Sequence, residues 1–85
     1  HRAQPERRAL RALSSMNIAW QTCALNLRQA GMPLAQVDRR IGEWKGFAAK
    51  LANGDIQEPK FSQGLKLLDL HVALCGEEKT AALRG

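Results

Sequence analysis

Leu27-Arg28-Gln29-Ala30-Gly31-Met32-Pro33-Leu34-Ala35-Gln36-Val37 is the stretch on which the fold turns. Gly31 supplies a position where positive φ costs little, and Pro33 can open a helix because its missing N–H is harmless in the first turn. One helix therefore ends near residue 30 and the next begins at residue 33. Upstream, Leu10, Leu13, Trp20, Ala24 and Leu27 alternate by three and four once Asn17 is included, which predicts a first helix over about 6–30. Ile18 and Leu25 lie nearly opposite that stripe, as a second apolar line that meets either another helix of the fold or a partner. Downstream, Leu34, Val37, Ile41, Trp44, Ala48 and Leu51 keep the same rhythm, and Asn53-Gly54 stops it, so a second helix is predicted over 33–53. Within it Gly42, Gly46 and Ala49 form a strip of small residues that would allow close backbone approach, in the monomer or in an oligomer.

The rest of the chain repeats this punctuation. Pro59 opens and Gly76 closes a third helix predicted over 59–75, in which Phe61, Leu65, Leu68, Val72 and Cys75 make one stripe and Leu67, Leu70 and Leu74 a second. Residues 77–84 start with two glutamates and end with an arginine, the polarity a short helix prefers. The expected fold is all-α: a three-helix bundle with a short C-terminal helix, in a single domain over 1–85. The predicted core is Leu13, Trp20, Leu27, Val37, Ile41, Trp44, Leu51, Phe61, Leu65, Leu68 and Val72. The leading His1, with no initiator Met, reads as a fragment of a larger protein or an altered terminus.

Composition agrees with one small helical core. Hydrophobic residues make up 45% and charged residues 25%, the balance of a folded globular chain rather than a disordered one. Charge is unevenly placed. Residues 1–28 hold five arginines against one glutamate; residues 29–53 hold Arg39, Arg40, Lys45 and Lys50 against Asp38 and Glu43; residues 54–85 hold four cations against five acids. The basic character belongs to the first two predicted helices, and it suits a phosphate-rich or otherwise acidic partner. No apolar run approaches the roughly 20 residues of a membrane span, and no signal-peptide pattern opens the chain. A cytoplasmic location with no membrane partner is expected.

Candidate chemistry is sparse. Cys23 and Cys75 lie among apolar residues without the close paired spacing of a zinc site, and are read as free buried thiols, with a disulfide as the alternative. His71 sits between the two apolar stripes of the third helix, where a hydrogen-bonded core imidazole is the simplest reading. Cys75, at i+4, could reach it, but neither an orienting acid nor a phosphate-cradling glycine loop accompanies the pair. No catalytic residue, metal site or cofactor is predicted.

The binding signals are stronger. Arg7, Arg8 and Arg11 form an arginine-rich turn at the start of the first helix, and Arg39, Arg40, Lys45 and Lys50 decorate the second. Such groups can position a phosphate backbone without reading bases. Arg40 falls inside the apolar arc near Phe47 and Leu51, so its stem is expected to run over the core edge.

The quoted stretch 27–37, continued to residue 41, resembles the helix, glycine-centred turn and second helix of helix-turn-helix DNA-binding proteins. Gly31 stands at the turn, Met32 at the apolar position after it, and Val37 at the apolar position six beyond the glycine. Leu27 departs from the small residue usual there, and Arg40 from an apolar one, with Ile41 one step late. The resemblance implies that Gln36, Arg39 and Arg40 face DNA. Leu65-Lys66-Leu67-Leu68-Asp69-Leu70 is similar to a segment of bacteriophage terminase small subunits, DNA-binding oligomers that start genome packaging. The Gly-Lys-His that follows in that family is His71-Val72-Ala73 here, and no functional residue carries over.

The sequence thus points to a non-enzymatic module that contacts nucleic acid, DNA rather than RNA, through Arg7, Arg8, Arg11, Gln36, Arg39, Arg40 and Lys45. The alternative is a protein-interaction or homo-oligomerisation domain using Ile18, Leu25, Gly42 and Gly46.

Overall fold

The computed structural model describes residues 18–84. They form five helices: α1 (Trp20–Gln29), α2 (Leu34–Ile41), α3 (Phe47–Asn53), α4 (Phe61–Cys75) and α5 (Glu77–Ala81). The only β pairing among the described residues is an isolated antiparallel bridge between Ile18 and Arg84. The all-α class, the helix over about 59–75 and the short C-terminal helix are as read from the sequence; the start of the first helix and the continuity of the second are not. Helix α1 packs on α2, α3 and α4, α2 also meets α3 and α4, and α5 folds back on α4.

Two of the expected long helices are shorter than their periodicity. The first begins at Trp20 because the backbone before it is committed elsewhere: Ile18 bridges Arg84, and the Ala19 N–H donates to the Leu83 carbonyl at 2.9 Å. Residues 6–17 of the expected helix, with Leu13 of the expected core, lie outside the described residues. The second helix is two. Gly42 (φ +73°) ends α2 and Gly46 (φ +98°) precedes α3, both left-handed, so the small-residue strip does not exist as a helix face. Asp38 fixes the break. Its carboxylate accepts hydrogen bonds from the backbone N–H groups of Gly46 and Ala48, each at 2.8 Å, and its side chain is buried. Two of the orphan donors at the start of α3 are thereby satisfied from the preceding helix.

The core joins Cys23, Ala24 and Leu27 of α1, Val37 and Ile41 of α2, Phe47, Ala48 and Leu51 of α3, and Leu67 and Leu70 of α4, with Met32 and Leu83 from the turn and the C-terminal segment. Of the expected core, Leu27, Val37, Ile41 and Leu51 are buried, and Trp20 and Leu68 are partly buried against the cluster. Trp44, Phe61, Leu65 and Val72 are exposed instead. Trp44 is displaced because it lies in the break, off any helical stripe. On α4 the inward face is Gly64, Leu67, Leu70 and His71, rotated from the expected stripe. The choice follows from two long-range fits: the Trp20 ring rests where a Gly64 side chain would be, and His71 is held by polar groups on α1 and α5.

That histidine is fully satisfied. Thr80 Oγ1 gives its proton to the Gly76 carbonyl (2.8 Å) and accepts from His71 Nδ1–H (2.6 Å), while Nε2 accepts from the Asn26 amide nitrogen (3.1 Å). The imidazole is therefore neutral. Burial pushes its pKa below the ordinary value, and the nearby Lys79 ammonium adds to the effect.

Candidate nucleic-acid interface

Helix α2 sorts its side chains cleanly. Val37, Asp38 and Ile41 point into the core with Leu34 partly buried beside them, which at 100° per residue turns Ala35, Gln36, Arg39 and Arg40 to the opposite side. All four are exposed. Arg40 does not lie over the core edge as expected, because the helix stops at Ile41 and Phe47 belongs to another helix. Arg39 and Arg40 occupy the last turn of α2, where the helix dipole favours cations. Lys45 is exposed in the connection that follows, and Arg28 and Lys50 are exposed in the last turns of α1 and α3.

The two acids within this part of the chain are occupied. Asp38 is turned inward onto the start of α3, and Glu43 Oε1 accepts from the Gln63 side-chain amide at 2.8 Å. The outward face of α2 itself carries Gln36, Arg39 and Arg40 around the small Ala35 and no carboxylate. A backbone of phosphates could meet both guanidinium groups there, with an amide between them able to donate and accept.

The turn before α2 is built from residues 30–33. Gly31 has φ +105°, its N–H donates to the Arg28 carbonyl (3.0 Å), and the Met32 N–H donates to the Leu27 carbonyl (3.2 Å). Met32 and Leu27 are buried, and Ile41 takes the inward place that Arg40 leaves.

Arg7, Arg8 and Arg11 lie outside the described residues. Ile18 and Leu25 are partly buried against the core, so the second stripe of α1 meets its own fold. Gly42 and Gly46 serve backbone conformation at the α2–α3 break. Cys23 is buried and Cys75 half-buried, both as free thiols, and burial followed by the proximity of Cys75 pushes the Cys23 thiol up to about 12. Cys75 Sγ approaches the Asn26 carbonyl (3.9 Å). Among the described residues no group of three or more His, Cys, Asp or Glu could hold a metal ion, and no helix is long and apolar enough to cross a membrane.

Sequence reasoning missed Asp38 and Trp44. A carboxylate followed eight residues later by a second glycine was the available signal for the first; nothing local to the second marks it as exposed. Comparison with family models, curated proteins and solved structures finds no match to this chain.

Proposed function

We propose that this domain is a non-catalytic nucleic-acid-binding module that lays the outward face of α2 against a phosphate backbone, DNA rather than RNA. The observation that carries the reading is the sorting of α2: Gln36, Arg39 and Arg40 are exposed together, opposite Val37 and Ile41, while the helix's one acid is buried in a structural role. Lys45 extends the basic surface into the next connection, and the glycine turn that delivers α2 supports a helix-turn-helix mode of presentation. Arg7, Arg8 and Arg11 would add contacts from the N-terminal segment. The contacts are to phosphate, so affinity exceeds specificity.

The test is a titration of the whole chain into a fluorescent duplex. Replacing Arg39 and Arg40 by Ala should weaken binding on all sequences alike, and a matched RNA duplex should bind less well. Equal binding by the variant removes α2 from the interface.

A second reading, self-association, is favoured by one feature of α4. Phe61, Leu65 and Val72, at 57%, 44% and 37% exposure, lie on one side of the helix with Leu68, an apolar line of the kind that marks interaction surfaces. If copies pair there, sedimentation should show a dimer that Leu65→Lys disrupts; a monomer at every concentration removes this reading. The two are compatible, since DNA-binding modules of this size commonly work as dimers.

A further inference from the structure

Beside the α2–α3 break lies a groove of about 510 Å³ that the phosphate-binding reading does not use. Its apolar side is Trp44, Phe47, Ile56 and Pro59; its polar side includes Glu43 and Glu58. The volume falls within the range of ligand pockets, roughly 300–1,000 Å³. Trp44 stands 48% exposed in a chain whose other described tryptophan packs against its own fold.

The groove is held in shape by its own bonds. The Trp44 ring meets buried Phe47 edge-on, at 5.7 Å between centroids and 70° between planes. The Phe47 N–H donates to the Trp44 carbonyl (3.1 Å). Across the groove, Gln63 ties the two walls together, donating to Glu43 from its amide and accepting from the Lys60 N–H, each at 2.8 Å. The indole is therefore presented on a fixed support rather than on a free loop.

Its chemistry selects a cation. An indole face attracts a guanidinium or ammonium group, more strongly as water is excluded. Glu43 and Glu58 give the rim two negative charges against the single positive charge of Lys60, in a chain that is basic as a whole. Ile56 and Pro59 offer an apolar bed for the methylene stem that leads to such a head. We infer that this groove is a docking site for an arginine or lysine side chain of a partner polypeptide, with the stem along Ile56 and Pro59 and the cation over Trp44 between the two carboxylates. A nucleobase could also stack on an exposed indole, but the carboxylates repel the phosphate it would bring.

Nuclear magnetic resonance separates the indole N–H signals of Trp20 and Trp44 without altering the chain. The probe is acetyl-Gly-Arg-Gly-amide, with the same peptide carrying neutral citrulline as control and adenosine monophosphate as competitor. A saturable shift of the Trp44 signal is expected with the arginine peptide. Glu58→Gln, a change of an exposed side chain, should weaken it about two- to fivefold. Trp44→Leu should abolish binding as followed on the backbone signals of residues 56–63, which also report that the fold is intact. No saturable shift, an equal response to the citrulline peptide, or stronger binding of the nucleotide overturns the inference. None of these outcomes depends on whether the α2 face binds DNA.

Discussion

Asp38 shows how a single side chain can redirect a helix. Its carboxylate is buried and takes two backbone N–H groups at 2.8 Å, so Asp38→Ala leaves the buried Ala48 donor and the part-buried Gly46 donor without their partner. The expected cost is about 2–4 kcal/mol, read from urea unfolding monitored by circular dichroism. A change under about 0.5 kcal/mol would mean that water replaces the carboxylate. His71 is the second residue whose environment sets its behaviour. Its neutral form is bonded on both nitrogens, and its native pKa lies below the ordinary 6.5. Above about pH 6.5 neither state binds the proton; as pH falls below this, the unfolded chain takes it up first, and native stability drops until the lower native pKa is passed. The stability advantage of wild type over His71→Gln should therefore shrink between about pH 7 and pH 5. A constant difference over that window contradicts the assignment. Burial also protects Cys23: with its thiol near 12, alkylation of the folded protein at neutral pH should leave Cys23 unmodified until the chain unfolds, as peptide mass mapping would show.

At the scale of the elements, the legible features were the local ones. Gly31, Gly54 and Gly76 each terminate a helix near the place their sequence setting indicates, and the inward positions Leu27, Val37, Ile41 and Leu51 follow from spacing alone. Spacing fails where a distant group decides. The rhythm of Leu34 to Leu51 runs unbroken through residues 42–46, because Trp44 and Ala48 happen to keep phase across the break. What makes the break is left-handed Gly42 at the end of α2, left-handed Gly46 before α3, and the Asp38 carboxylate bonded to the N–H groups of Gly46 and Ala48. Gly46→Ala should accordingly destabilise by about 1–2 kcal/mol, the cost of placing a Cβ in left-handed backbone, measured by the same unfolding assay. A stabilising effect, as expected for glycine inside a continuous helix, would contradict the break. On α4 the stripe of Phe61, Leu65, Leu68 and Val72 was expected to face the core, although spacing offered a second stripe as well. Trp20 against Gly64 and Asn26 against His71 settle it in favour of the face containing Leu67 and Leu70, and no local pattern carries that information.

For the whole molecule, the consequence is a division of surfaces. The outward face of α2 is cationic, the groove beside the break carries two carboxylates around an indole, and one side of α4 is apolar. The candidate phosphate-binding residues Gln36, Arg39 and Arg40 were legible only through the helix-turn-helix resemblance, since the spacing of a helix over 33–53 put Arg40 inside its apolar arc. Trp44 and its groove were not, since they exist only through the break. The proposed role of the α2 face is to bind nucleic acid through phosphate neutralisation. Its most direct test is fluorescence anisotropy of the whole chain with duplex DNA across a salt series, for wild type and the Arg39→Ala, Arg40→Ala double variant. Log K is expected to fall linearly with log salt, with the double variant's slope shallower by nearly two, at about 0.9 for each lost phosphate contact. Absence of binding at about 50 mM salt, or a slope that the two substitutions leave unchanged, would contradict it.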